Sequence, residues 1–437
     1  MNIKIEQKSD VLAHLKISMP AAQVSERLNG YFEKLAKQAK VPGFRPGKAP
    51  KDVVKKMYSE DSASDLSERL ISEGVLEAIK EKNLNVVMAP VLVATDVPKE
   101  GQDFNFEVEV DLRPKVPAIK LKGLNIEGAK PATASEEEIN QQLHAIQESD
   151  ASYVDVKESR TATATDCVVI RFQGTHNGKQ PPEMQAESHT AVLGQGQLIP
   201  EFEKAIVGLK PGEERTSPVK FPADYHAKDL QGETVEFKIG LLSIKEKNLP
   251  KLDDDFAKAI DPDVKSLDEL KAKIREKLIE QKQKSQKDQL RDQIGDALVE
   301  KFPFEVSRRQ VESFAHGLAE QTHRMMHQMG HHHEETEDHQ RKLIEASMKK
   351  AERDVRLAYI LENIAKDQKF EVSPEELKSK METTAKRTGL TLSQIQAYYA
   401  SKDENENVSR VERLKIDILD EKSLDYAISQ ATIKNEG

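Results

Sequence analysis

Residues 11–17, VLAHLKI, alternate apolar and polar positions with a period of two, the pattern of a strand with one buried face. From Pro20 the period lengthens. Val24, Leu28, Tyr31 or Phe32, and Leu35 recur at helical spacing, and Pro20 suits a first helical turn. A proline- and glycine-rich stretch, 41–50, interrupts this pattern before helical spacing resumes through Val53, Val54 and Met57. A longer helix is expected through Leu66, Leu70, Val75 and Ile79, followed by two strands, NVVMAPVLV and FNFEVEVDL. In the second, Phe104, Phe106, Val108 and Val110 share one face. Residues 1–113 thus read as one α+β domain with a loop projecting between two helices.

Residues 114–131 hold three prolines and no clear period, as an extended connector does. Ser135-Glu136-Glu137-Glu138 has the form of a capping box and starts a helix through Ile139, Leu143 and Ile146. The stretch 114–151 is therefore a linker with a helix that packs on the C-terminal region. Between 152 and 245 short strands and glycine turns take over: Val168, Ile170 and Phe172 alternate, as do Val235, Phe237 and Ile239. This predicts a separate antiparallel-sheet domain. After Pro250 helical signals dominate, with start motifs at Ser266–Glu269, Ser373–Glu376 and Thr391–Gln394. Narrow apolar stripes and faces rich in Lys, Glu and Gln predict an all-α region, 246–437, built as an open bundle or arms. The fold class is multidomain α+β.

Composition narrows the function. The chain has 437 residues, enough for two to four domains, with 37% hydrophobic, 32% charged and 5% aromatic residues and no Trp. Such a chain suits well-solvated helices with modest cores. A net charge of −10 argues against general nucleic-acid affinity but leaves room for a local basic patch. One cysteine, Cys167, excludes an internal disulfide framework and points to a reducing compartment. The N-terminal stretch lacks a signal-peptide core, and no apolar run approaches the roughly 20 residues that span a bilayer. A soluble cytoplasmic protein without membrane contact is expected. No phosphate-binding G-x-x-x-x-G-K-[ST] motif occurs, so no nucleotide and no cofactor are expected.

The stretch VPGFRPGKAP, 41–50, carries the first candidate site. Pro42, Pro46 and Pro50 each fix a dihedral, while Gly43 and Gly47 permit backbone angles that other residues avoid. A frame stiffened in this way can hold Phe44 and Arg45 outward. Lys40, Arg45, Lys48, Lys51, Lys55 and Lys56 surround it with only Asp52 nearby, a cationic island on an acidic chain. Arginine pairs bidentately with phosphate or carboxylate, and Phe44 can fill an apolar pocket. The alternative is a solvated turn whose phenylalanine folds back.

Gly43-Phe44-Arg45-Pro46-Gly47-Lys48-Ala49-Pro50 resembles the G-F-R-x-G-x-x-P signature of trigger factors, the bacterial ribosome-associated chaperones, and the order of regions resembles that family along the whole chain. The resemblance implies that Gly43, Phe44, Arg45, Pro46, Gly47 and Lys48 bind the large ribosomal subunit beside the exit tunnel, meeting protein and ribosomal RNA. It implies an ATP-independent chaperone that shields unfolded nascent polypeptides, and it leaves open whether the free chain forms a homodimer.

VVIRFQG, LGQGQLIPEF, GLKPGEE and FPADYHAKDLQG resemble FKBP-type prolyl isomerases in order and spacing. Rotation about an X-Pro bond has a barrier of about 18–20 kcal/mol, and an apolar basket that desolvates the twisted amide lowers it without acid, base or nucleophile. The resemblance places Phe172, Leu198, Ile199, Phe202, Tyr225 and Phe237 in that basket, with the Tyr225 hydroxyl donating to a substrate carbonyl. For any one of them taken alone, ordinary strand-core packing is the better explanation. Where that family usually carries aromatic, acidic and again aromatic side chains, this chain has Pro181, Pro182 and His189, and its turn reads P-E-F instead of P-G-F. A retained fold with weakened isomerase activity is expected. The competing reading is primarily a prolyl isomerase whose flanking regions deliver substrate; a third is an acidic scaffold without ribosome contact.

The tract HRMMHQMGHHHEETEDH, 323–339, clusters histidine with acids, a composition able to take up nickel or zinc. It lacks a fixed ligand spacing, and Gly330 breaks the helical pattern, so it reads as a solvated helix–helix loop with no defined metal site. Met325, Met326 and Met329 suit an adaptable apolar surface as well as a packed helix end.

Overall fold

The structure, a computed structural model, describes residues 1–38, 44, 50, 53–54, 63–128, 131–156, 160–175, 181–196, 198–221, 231–329, 336–401 and 409–435. They group into two compact units, Met1–Lys130 with Gln286–Gly437, and Pro131–Ser285.

The first unit opens with strands β1 (Asn2–Gln7), β2 (Leu12–Met19), β3 (Val91–Thr95) and β4 (Phe104–Asp111), in an antiparallel sheet ordered β1-β2-β4-β3. Alternation along β2 and β4 puts Ala13, Leu15, Ile17 and Met19 opposite Val110, Val108, Phe106 and Phe104. All eight are buried. Helices α1 (Ala21–Gln38) and α2 (Ala63–Glu81) cover this face with Val24, Leu28, Phe32, Leu66, Leu70 and Val75. At Gly74 a Cβ would stand 2.7 Å from the Phe106 ring, so only glycine lets α2 come this close to the sheet. The stretch NVVMAPVLV is not one strand. Val86 makes an isolated bridge to Leu112, and the strand proper starts only after Pro90, which has no N–H to give a ladder. Met57, expected on a helix, lies outside the described residues; Val54 is buried against Leu35 and Ala36.

β5 (Asn125–Gly128) ends the connector. Its prolines keep the connector irregular, yet Val116, Ile119 and Leu121 pack on a helical core that buries Leu124 and Ile126.

The second unit starts with α3 (Glu136–Ser149), whose capping box is complete in both directions between Ser135 and Glu138. Strands β6 (Ser152–Asp155), β7 (Cys167–Thr175), β8 (Gln185–Val192), β9 (Glu214–Lys220) and β10 (Thr234–Asn248) form an antiparallel sheet in which long β10 pairs with β6, β7 and β9, and β7 pairs with β8. Helix α4 (Pro200–Ile206) turns Phe202, Ala205 and Ile206 into the core. Helix α5 (Asp254–Ile260) and the start of α6 (Leu267–Lys301) bury Phe256, Leu270 and Ile274 against Ile139 and Leu143 of α3. The start motif at Ser266 is half a box: Ser266 Oγ accepts from Glu269 N at 3.3 Å, but the Glu269 carboxylate accepts from Lys265 N instead.

The end of α6 returns to the first unit, which continues with α7 (Arg308–Gln328), α8 (Glu337–Asp367), α9 (Pro374–Thr388), α10 (Leu392–Ala400), α11 (Arg410–Gln430) and strand β11 (Thr432–Asn435). Ile294, Leu298, Leu357, Ile360, Ile364 and Ala427 form its helical core with Leu124 and Ile126. β11 pairs in parallel with β5, Thr432 opposite Asn125. The expected boxes at Ser373 and Thr391 are complete. The histidine tract departs from the expected loop: α7 runs to Gln328 and α8 begins at Glu337, so both ends of the tract are helical. The Asp111 carboxylate at the end of β4 is buried and accepts from Ser307 Oγ at 2.6 Å and from the Arg309 guanidinium at 2.5 Å, tying the sheet to the start of α7. Among the described residues no helix is long and apolar enough to cross a membrane.

Candidate functional site

Two strands and a short helix assemble the aromatic basket. On β7 and β10, Phe172 lies opposite Ile239 and Gly174 opposite Phe237, so both phenylalanines project to the face that α4 covers. Pro200 in the first turn of α4 sets its start, and Phe202, two residues on, enters the core. The three rings meet edge to face: Phe172–Phe202 at 5.3 Å between centroids, Phe202–Phe237 at 5.2 Å and Phe172–Phe237 at 6.1 Å. These are favourable quadrupolar arrangements. Leu198 and Ile199 are half-buried against the same cluster. Five of the six expected basket residues therefore come together; Tyr225 lies outside the described residues.

Sequence reasoning missed three contributors. Phe221 packs against Phe237 at 6.2 Å. Met184, in a short 3-10 turn (Pro182–Met184), is buried in the cluster. Gly174 makes room, since a Cβ there would stand 2.7 Å from the Phe237 ring and 3.0 Å from Met184. The strand alternation through Val168, Ile170 and Phe172 points to Gly174 on the same face, which is the signal that could have found it. His189 on β8 stands edge-on to Phe172 at 6.0 Å, occupying a position where an aromatic wall was expected. Pro181 and Pro182 start the 3-10 turn.

Backbone and charge fix the elements that carry this cluster. Glu203 on α4 accepts from Gly194 N at 3.1 Å, and Gly194 has φ +80° with Ala164 O where a Cβ would fall. Arg215 donates to Ala205 O at 2.9 Å and Val207 O at 3.2 Å, closing the C-terminus of α4. Asp166 accepts both Arg160 nitrogens, at 2.6 and 2.8 Å, and the guanidinium holds its carboxyl down at about 2. Cys167 is buried, and burial pushes its thiol up, as for an inert core cysteine. The basket thus offers an apolar, aromatic wall suited to desolvating a prolyl amide.

In the loop 41–50, Phe44 is 42% exposed. Gly43, Arg45, Pro46, Gly47 and Lys48 lie outside the described residues. Just beyond, Pro50 O accepts from the backbone of Val53 and Val54.

The first unit also holds an apolar groove of about 600 Å³ lined by Phe314, Tyr359, Phe370, Ile416, Leu419 and Asp420, among others. Phe314 and Ile416 are exposed. Burial, reinforced by Asp417 and Glu362, pushes the Asp420 carboxyl from its ordinary 3.8 to about 7. Among the described residues no cation pairs with it.

A sheet wrapped on a short helix, with a triad of phenylalanines between them, defines an FKBP-type prolyl isomerase domain, here carried within a larger α+β and helical protein. Residues 158–242 match the family of FKBP-type peptidyl-prolyl cis-trans isomerases. Residues 1–146 match the bacterial trigger factor family, and residues 266–429 match its C-terminal region. Trigger factor of Syntrophotalea carbinolica is 31% identical over 92% of this chain and 90% of its own length. That of Desulfotalea psychrophila is 30% identical over 100% of this chain and 97% of its own. The chain belongs to the trigger factor family of chaperones. A solved trigger factor chaperone structure, from work on promiscuous substrate recognition in folding and assembly, covers 98% of this chain and 100% of its own at a TM-score of 0.51 and 19% identity, a likeness of fold.

Proposed function

We propose that this chaperone docks on the large ribosomal subunit at the exit tunnel through residues 43–48 and shields nascent chains without ATP. The observation that carries the reading is Phe44, a large apolar side chain that is exposed, in a stretch whose sequence is rich in proline, glycine and basic residues. Phosphates of ribosomal RNA and an acidic protein surface complement Arg45 and Lys48, and an apolar pocket complements Phe44. Residues 1–113 form the docking domain, 114–151 a linker, 152–245 the isomerase domain and 246–437 the helical chaperone region. The groove around Phe314, Phe370 and Ile416 supplies apolar surface for unfolded clients. The protein works in the cytoplasm and is partly ribosome-bound.

The test is co-sedimentation with ribosomes at moderate salt. Phe44→Ala with Arg45→Ala should abolish association while circular dichroism stays unchanged; undiminished association would sink the docking site.

The FKBP-type domain is a weak prolyl isomerase. Phe172, Leu198, Ile199, Phe202 and Phe237 supply the apolar wall, and Tyr225 donates to the substrate carbonyl. Activity is low because Pro181, Pro182 and His189 replace two aromatic walls and an acid. A proline-limited refolding assay separates this from the isomerase-first reading, which requires catalysis well above background that Phe202→Ala removes.

A further inference from the structure

We propose that His323 and His327 on α7, completed by His339 on α8, form a site for a divalent transition metal of the nickel, zinc and copper class. His323 and His327 are four residues apart on one helix, so their side chains stand one above the other on the same face. Their ring centroids are 4.9 Å apart with the planes at 74°. An imidazole nitrogen binds such a metal at about 2.1 Å, which places the ion about 3.2 Å from the ring centroid. Two rings sharing one ion at an angle of about 90–109° then have centroids about 4.5–5.2 Å apart. The observed separation falls inside that window.

The third ring comes from the opposite helix. His339 has its centroid 6.5 Å from that of His323, about 1 Å or more beyond the shared-ion range. Its backbone is already fixed: His339 N donates to Thr336 Oγ1, the N-cap of α8, at 3.3 Å. Its ring would have to turn toward His323 to join the ion. As they stand, no three His, Cys, Asp or Glu side chains among the described residues form a ligand set. The pair already has the spacing of a shared ion, and metal binding would draw in the third ring, with water filling the remaining position.

The helices that carry these ligands are packed together further along by Val311 and Ala315 against Ala351 and Val355. A metal held by His323, His327 and His339 would add a second fixed point between the end of α7 and the start of α8. Nitrogen ligands select the borderline transition metals over magnesium and calcium, which prefer oxygen.

The test is a calorimetric titration of nickel chloride into the full, tag-free chain after chelator treatment. The expected result is one micromolar site per chain, unaffected by excess magnesium chloride. His323→Gln with His327→Gln should weaken it about tenfold or more, and His339→Gln by a smaller factor. A triple variant, His331→Gln, His332→Gln and His333→Gln, should keep it. Circular dichroism confirms that each variant folds. Hydrogen exchange at 320–328 and 337–342 should slow on adding nickel to the wild type. Failure to bind nickel, or loss of the site in the triple variant with retention in the His323/His327 variant, would overturn the assignment.

Discussion

Phe202 meets Phe237 edge to face, centroids 5.2 Å apart and planes at 70°, so a single residue of α4 supplies both a wall of the basket and a core contact to β10. Phe202→Ala removes both roles. It should destabilise the domain by about 3–5 kcal/mol and bring proline-limited refolding to background. Phe202→Leu restores most of the packed volume; a thermal melt near wild type with catalysis still reduced would separate the wall from the core contact.

Gly174 and Gly30 make opposite predictions under the same substitution. Gly174→Ala forces a Cβ into the Phe237 ring and should cost about 1–3 kcal/mol and lower catalysis in the proline-limited refolding assay. Gly30 lies within α1 with nothing within 4 Å of an added Cβ. Gly30→Ala should stabilise by about 0.5–1 kcal/mol, read by urea unfolding.

Asp420 gives a pH signature. Its folded carboxyl titrates near 7, above its ordinary 3.8, so the folded state binds the proton more tightly. Its contribution is full below about pH 4 and is lost as pH rises through 7. Asp420→Asn should therefore gain about 1–3 kcal/mol relative to wild type at pH 8 while differing little at pH 4. A stability difference that does not change between those two pH values would refute the assignment.

Asp111 joins β4 to α7 through Ser307 and Arg309. Asp111→Ala leaves a buried hydroxyl and a partly buried guanidinium without their shared acceptor, and should cost about 2–3 kcal/mol. Hydrogen exchange should rise first at the start of α7. Uniform loosening across the molecule would argue against a local tie.

Local physics was readable from the residues, and distant pairing was not. Alternation at 11–17 and 104–112, and the boxes at Ser135, Ser373 and Thr391, depend on neighbours a few positions away, and each produced its element. The strand expected over NVVMAPVLV broke because Pro90 lacks an N–H. The connector gave no period because its apolar residues answer to a helical core far along the chain. The basket phenylalanines were visible by spacing and resemblance. Met184 and Gly174 were not, because their roles depend on how β7, β10 and the 3-10 turn converge. The groove around Asp420 is likewise legible only after α7, α8 and α11 meet. The histidine tract read as a loop because Gly330 punctuates it, yet the helices reach in from both sides.

The core holding Leu124 and Ile126 also takes in Ile294, Leu357 and Ala427, and β5 waits for β11 to pair with it. Synthesis proceeds from the N-terminus, so residues 124–126 emerge some three hundred positions before their last partners. The unit 131–285 has no such wait, because it is continuous in the chain. The middle of this chaperone can therefore fold before the chain that flanks it is complete, and its apolar connector waits for the helices that bring Leu357 and Ala427.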